Sequence, residues 1–163
     1  MQGQKWDYLV QTIDDLSGLL QEYDRLSIVS FNSQATRDCK LVRMNENGKK
    51  RIDKTMKELV TGGATSIGDG LQIAIKVLTD RKYQNKVSSI LLLSDGQNNE
   101  NEDLLRWIIS EIQKAGSFTI NTFGFGNDHD SELMIEIANL KDGNFYYIEK
   151  LLDVGVCFID CLG

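Results

Sequence analysis

The sequence predicts an α/β fold in which an open, mostly parallel β-sheet carries helices on both faces. Short segments rich in β-formers alternate with segments of helical periodicity. The run at 87–93, Val-Ser-Ser-Ile-Leu-Leu-Leu, is almost continuously apolar, as expected for a strand covered on both faces. With 163 residues, 41% of them apolar, the chain has enough material for one core. We therefore predict a single doubly wound domain over residues 1–163.

The first half of the chain contains three predicted helices and a strand pair. Apolar residues between Trp6 and Leu20 recur three and four apart, which indicates one face of a helix. A strand is predicted at 26–31, and a more polar strand follows at 36–43 after a short turn, as in a hairpin. Helices are then predicted on either side of a glycine-rich segment, at 52–60 and at 71–78.

The second half continues the alternation of strands and helices. After the strand at 87–93, the predicted elements are a helix at 103–115, a strand at 118–125, a helix at 131–140, a strand at 144–149 and a last helix from Leu151. A doubly wound domain normally begins with a buried strand. The first predicted element here is a helix, so we expect the first central strand to be missing.

Charge and cysteine content exclude several classes of protein. Eighteen Lys and Arg against 24 Asp and Glu give a net charge of -6, which repels nucleic acid and anionic lipid. No stretch is apolar enough to cross a membrane or to form a signal core, so we expect a cytoplasmic protein without membrane insertion. Three cysteines are not a disulfide framework. Cys157 and Cys161, four apart, could be a redox pair or half a metal site, but two small buried apolar side chains are favoured.

Two loops at predicted strand or helix ends could carry chemistry, because ligands of open α/β sheets bind at the carboxyl ends of strands. The glycine-rich loop at 61–70 resembles a phosphate cradle, but Asp69 stands where a Walker A loop needs lysine. A second glycine pair, Gly124 and Gly126, lacks the third glycine of a dinucleotide fingerprint. Neither pattern supports a nucleotide site.

Thr65 and Asp95 could supply two oxygen ligands to Mg²⁺ if their loops meet. The alternative is that Thr65 caps the next helix and Asp95 shapes the turn before Gly96. The spacing of these residues alone favours the alternative.

Asp128, His129 and Asp130 form a further cluster, which contains the single histidine. Adjacent residues seldom converge on one metal ion, so we expect Asp130 or Ser131 to cap the helix that follows. One histidine with no matching Ser or Cys motif gives poor support for hydrolase chemistry.

Several ordered motifs together resemble the von Willebrand factor type A domain, and in particular its intracellular, copine-like branch, which includes domains attached to RING-type ubiquitin ligases. The motifs are Lys5-Trp6 and the segments 24–32, 62–67, 91–96 and 122–126. In this family a metal-ion-dependent adhesion site takes ligands from an Asp-x-Ser-x-Ser loop after the first strand, from a threonine and from an aspartate. Thr65 and Asp95 match the last two, and residues 1–5 match the segment directly after the first loop. The resemblance therefore implies a degenerate site that binds Mg²⁺ weakly or not at all.

We thus expect a non-enzymatic module that binds a partner protein through the loops 61–70, 94–99 and 124–130. The alternatives are a nucleotide-binding α/β enzyme and a fragment of a larger protein with such a domain, for example a ubiquitin-ligase scaffold. The family's first strand lies between the strands predicted at 26–31 and 87–93. These two must close together or leave a slot, through which the chain could dimerise.

Overall fold

A computed structural model describes residues 3–97, 106, 109–113, 116–127, 129–149 and 154–162 of the chain. The elements are α1 (Gln4–Leu19), β1 (Arg25–Phe31), β2 (Ala35–Arg43), α2 (Glu46–Glu58), α3 (Ile67–Thr79), β3 (Ser89–Ser94), β4 (Thr119–Phe125), α4 (Ser131–Asn139), β5 (Phe145–Ile148) and α5 (Val154–Leu162). Within these ranges, no helix is both long and apolar enough to cross a membrane.

Most predicted elements are present, with two shifted helix starts. Helix α2 begins at Glu46 rather than at 52, because the Asn45 side chain accepts a hydrogen bond from the Gly48 amide at 3.0 Å and caps a polar first turn. Helix α3 begins at Ile67 rather than at 71, so two glycines of the glycine-rich segment lie inside the helix. The helix predicted at 103–115 falls largely outside the described residues, although 109–113 are helical, and 151–153 also fall outside them.

The described strands form two separate sheets. β1 and β2 pair antiparallel, as the predicted hairpin requires, with two irregularities in register between Leu26 and Ser30. β3, β4 and β5 form a parallel sheet in that order. The predicted α/β fold with a parallel sheet is confirmed, but β1 and β3 are not hydrogen-bonded to each other.

Helices cover both faces of these sheets, as predicted. One core contains buried side chains of α1, α2 and α5 together with Phe123 and Phe125 of β4. The other contains side chains of α3 and α4 together with Ile90 of β3 and Ile120 of β4. Because β4 contributes to both cores, it is buried on both faces, which explains its apolar sequence.

Hydrogen bonds at each end hold β1 beside β3 without pairing the two strands. At the amino-terminal end, the Arg25 guanidinium donates to the side-chain oxygen of Asn85 at 2.8 Å, and Asn85 precedes β3. At the carboxyl-terminal end, the Ser66 amide donates to the Asn32 carbonyl at 2.8 Å, and the neighbouring Thr65 lies against the loop after β3. β1 and β3 therefore run in the same direction, and we call the place between them, where no described strand pairs with either, the slot.

No described strand pairs with the edges of β1 and β3 at the slot. We therefore predict that one more strand there would stabilise the fold. We expect fusion of an apolar strand and an Asp-x-Ser-x-Ser loop ahead of residue 1 to raise the free energy of unfolding by about 3 kcal/mol or more. Each fully buried large side chain contributes roughly 1.5–3 kcal/mol, and a whole domain has only about 5–15 kcal/mol. Without the fusion, we expect the chain to be marginally stable, prone to aggregate or dimeric.

Denaturant melts of matched chains test this expectation. The control carries a Gly-Ser extension of the same length, which adds chain but no apolar strand. Equal midpoints and slopes for the strand fusion, the control and the unextended chain would contradict the prediction.

Candidate binding site at the carboxyl edge of the sheet

Two residues with positive φ allow the glycine-rich loop to pack against the end of β1. Gly62 and Gly63 have φ of 127° and 95°, which side chains rarely adopt. A Cβ on Gly63 would also lie 3.1 Å from the Cβ of Asn32. The Ala64 amide donates to the Ser33 hydroxyl at 3.3 Å. The glycines therefore let the loop that carries Thr65 follow the β1–β2 turn closely.

Thr65 meets the loop after β3. A Cβ built on Gly96 would lie 2.7 Å from the Thr65 hydroxyl oxygen, so the backbone after Asp95 approaches this side chain directly. The Ser94 hydroxyl holds the turn through contacts of 3.3 Å and 3.5 Å with the Gly96 carbonyl and amide. The structure thus brings together the loops of both predicted metal ligands.

The alternative role expected for Thr65, as a helix cap, is wrong. Helix α3 begins at Ile67, its N-cap residue is Ser66, and no side chain forms a cap hydrogen bond there. Thr65 stands one residue too early in the chain, with its hydroxyl directed to Gly96 instead.

The side chains at this edge do not fit a tightly bound Mg²⁺. The ion requires near-octahedral oxygen ligands, and Thr65 and Asp95 supply one hydroxyl and one carboxylate. In the described part of the chain, no three His, Cys, Asp or Glu side chains are grouped to hold a metal. In addition, the Lys5 ammonium lies 3.1 Å from where a Cβ on Gly126 would be, and so places positive charge at this edge.

His129 is a packing residue beside the loop after β4. Its side chain is 6% exposed, and Nδ1 lies 2.6 Å from the Gly126 carbonyl oxygen. The ring lies near Phe145 and Tyr147, at centroid distances of 5.7 Å and 5.6 Å. A Cβ on Gly124 would overlap the ring atoms, so only glycine admits the imidazole there.

The cap predicted after His129 is confirmed. The Asp130 carboxylate accepts a hydrogen bond from the Leu133 amide at 3.1 Å and begins α4. Asp128, the remaining member of the predicted cluster, lies outside the described residues.

The cysteines at the end of the chain lie on α5, away from Thr65. Both are half-buried, and both pack against the core of α1 and α2. Burial raises the pKa of the Cys161 thiol, which keeps it protonated and poorly nucleophilic. These cysteines are packing residues with partial exposure, whereas Cys39 is the fully buried one.

Comparison with known proteins identifies the family. The sequence profile of the von Willebrand factor type A domain matches residues 1–155, which is most of the chain. This chain belongs to the von Willebrand factor type A family. An uncharacterised protein of Synechocystis is 30% identical over 92% of the chain, which spans 35% of that protein. The E3 ubiquitin-protein ligase WAVH1 of Arabidopsis thaliana is 33% identical over 58% of the chain, or 16% of the ligase.

Solved structures of this family have the same fold. A von Willebrand factor type A protein of Catenulispora acidiphila superposes with a TM-score of 0.83 at 18% identity, covering 95% of this chain and 37% of that one. Proximal thread matrix protein 1 of the mussel byssus, whose adhesion site is occupied by zinc, superposes with a TM-score of 0.75 at 21% identity. That alignment covers 96% of this chain and 39% of the byssus protein. The predicted family and fold are therefore confirmed.

The close fit of Gly124 against His129 gives a stability prediction. We expect Gly124→Ala to lower the free energy of unfolding by about 1–3 kcal/mol, since the new methyl must displace a buried ring. Gly18→Ala is the matched control, because no atom lies within 4 Å of that Cβ and alanine favours a helix. Denaturant melts measure both variants.

A second substitution tests whether the His129 ring causes the loss of stability in Gly124→Ala. In the Gly124→Ala background, His129→Ala should cost less stability than in the unmodified chain, because there it also relieves the clash with the new methyl. Strictly additive losses would show that the ring is not what excludes a side chain at position 124.

Proposed function

We propose that this von Willebrand factor type A domain is a non-catalytic module that binds a partner protein at the carboxyl edge of its sheet without a tightly bound metal. The approach of Thr65 to Gly96 carries this proposal. It joins the glycine-rich loop and the loop after β3 into one surface. Of the ligands of the family's metal-ion-dependent adhesion site, these two loops match one hydroxyl and one carboxylate.

The surface has features that suit a protein ligand. Val60 at its margin is 88% exposed, and Lys5 and Asp95 give the edge charges of both signs. Tyr147 donates a hydrogen bond to the Asn127 side chain in the next loop, at 2.5 Å, which orders that part of the edge. A mixed surface of apolar and charged groups is typical of transient protein interfaces.

The chain spans about a third of the Synechocystis protein that it matches, so a larger protein could present this module. A ubiquitin-ligase scaffold is one such proposal, supported by the similarity to the Arabidopsis ligase. The copine-like branch, cytoplasmic residence and dimerisation stay predictions. A nucleotide-binding enzyme is not favoured, since Asp69 in the first turn of α3 repels a phosphate from the helix start.

Weak metal binding is the first test of the proposal. We expect titration with Mg²⁺ or Mn²⁺ to give no saturable site of micromolar affinity, because Thr65 and Asp95 leave most of the coordination shell to water. Asp95→Ala should change the calorimetric trace no more than Glu22→Ala, which removes an exposed carboxylate elsewhere. A micromolar site that is lost only in Asp95→Ala would overturn the metal-free proposal.

Partner binding at the carboxyl edge is the second test. Cross-linking in cells followed by mass spectrometry identifies partners of the tagged chain and the residues that touch them. We expect a Thr65→Arg, Asp95→Arg double variant to bind its main partner at least tenfold more weakly, because two bulky charged side chains block the surface formed by the two loops. The matched control is Glu22→Arg, Tyr23→Arg, which makes the same change in net charge at two exposed residues ahead of β1.

Chelation of metal ions distinguishes metal-free binding of the partner from metal-mediated adhesion. Binding of the purified partner should be unchanged within a factor of two in EDTA. Loss of binding in EDTA would overturn the metal-free mode, and equal loss of binding in both double variants would exclude the proposed surface.

A further inference from the structure

Charge is distributed unevenly along this chain. Residues 37–57 contain eight Lys and Arg and three Asp and Glu, a net charge of +5, although the whole chain carries -6. The other residues together therefore carry -11. Residues 37–57 cover most of β2 and nearly all of α2. The packing of these two elements determines whether the cations form one surface.

β2 and α2 pack closely against each other. A Cβ on Gly48, in the first turn of α2, would overlap the Arg43 carbonyl at the end of β2, so only glycine lets the helix begin there. Cys39 of β2 is buried in the same core as Ile52 and Met56 of α2. The strand and the helix therefore form one packed unit, with apolar side chains inside and charged side chains outside.

The outer side of α2 carries three exposed cations. The Lys49 ammonium donates to the Gly18 carbonyl of α1 at 3.1 Å, which places α1 on that side of the helix. With 3.6 residues per turn, Arg51 lies about 200° around the helix from Lys49. Lys50 and Lys54 lie between these two directions, opposite the buried side chains. All three therefore point to solvent, away from α1 and the core.

β2 adds cations at the edge of its sheet. Within the described part of the chain, β2 pairs with β1 alone, which makes it an edge strand. Arg37, Lys40 and Arg43 are exposed there. The Asp38 carboxylate, in contrast, accepts from the Ser30 amide of β1 at 2.8 Å. We call the exposed cations of β2 and of the outer side of α2 the basic surface; they are Arg37, Lys40, Arg43, Lys50, Arg51 and Lys54.

Stability of the fold does not account for these cations. Basic side chains on an edge strand prevent pairing with other chains, but a helix has no such edge to protect. On α2, Lys50 and Lys54 are four residues apart, a spacing at which like charges weaken a helix. Glu58 lies 3.7 Å from Lys54, in an exposed pair that contributes little. Cations kept at a cost to the helix are expected where a ligand supplies the opposite charge.

The charge of the rest of the molecule favours a short acidic protein segment as that ligand. A nucleic acid or an extended anionic membrane would also approach the remaining surface, whose net charge of -11 repels it. A short acidic segment contacts the basic surface alone. α2 has 13 residues, which gives it a length of about 20 Å, and about six extended residues span that distance.

We propose that the basic surface binds an acidic segment of about six residues in a partner protein. Its Lys and Arg side chains form charge-assisted hydrogen bonds with the carboxylates of the segment, and each guanidinium group can donate two of them to one carboxylate. This surface lies on the other side of β1 from the slot. It is also separate from the loops 61–70 and 94–99, so the inference does not depend on the function proposed above.

Fluorescence anisotropy with a labelled peptide tests the proposal on the intact chain. The probe is Gly-Glu-Asp-Glu-Glu-Asp-Glu-amide with a fluorophore at its amino terminus. The control peptide replaces every Glu with Gln and every Asp with Asn. We expect saturable binding of the probe at about 0.15 M salt, where exposed charges attract each other over about 8 Å. The control peptide should bind at least tenfold more weakly.

Charge-reversal variants locate the binding. We expect Lys40→Glu, Arg51→Glu to bind the probe at least tenfold more weakly than the unmodified chain. The matched control is Lys82→Glu, Lys86→Glu, which makes the same change in net charge at exposed residues between α3 and β3 and should bind within a factor of two of the unmodified chain. A second readout needs no variant: addition of the probe to the unmodified chain should shift the amide resonances around Lys40 and Arg51, and not those around Lys82 and Lys86.

Several results would contradict the proposal. These are equal binding of the uncharged peptide, equal loss of binding in both double variants, and resonance shifts around Lys82 and Lys86 instead. Single-stranded DNA with the same number of charges, or vesicles that contain phosphatidylserine, should bind at least tenfold more weakly than the probe. Equal or tighter binding of either would show that the partner class is wrong. Self-association that rises with protein concentration and is lost only in Lys40→Glu, Arg51→Glu would assign the surface to a second copy instead.

Discussion

The constraint on which this structure depends is the need of every strand edge for hydrogen-bond partners. β2 satisfies one edge of β1, and β4 satisfies one edge of β3. Within the described residues, no strand pairs with the edges of β1 and β3 that face each other. Helix packing and the end contacts through Arg25 and Asn32 therefore hold the two sheets in place.

Much of the fold can be predicted from the sequence, because the buried strands and helices carry strong periodicity. The run at 89–94 is apolar because helices cover both its faces, and that signal is local. Periodicity misses the start of α2, because its first turn is polar and depends on a single cap at Asn45. The split between β1 and β3 follows from the resemblance to a family with a strand between them, and composition alone gives no sign of it.

The candidate site is predictable only in part. Glycines at 62 and 63 and a carboxylate after a buried strand indicate loops that bind ligands, but no local rule gives the distance between loops. Spacing predicts a cap role for Thr65, although this residue contacts Gly96 across the sheet edge. The burial of His129 under Gly124 is likewise a contact between separate segments, for which the sequence offers only the glycine.

The contact of Asn32 with Ser66 connects the end of β1 to the glycine-rich loop. The Asn32 carbonyl accepts from the Ser66 amide, so the loop that carries Thr65 is attached to the end of β1, whereas Asp95 directly follows β3. A ligand that bridges the two loops would therefore also fix the positions of β1 and β3 relative to each other.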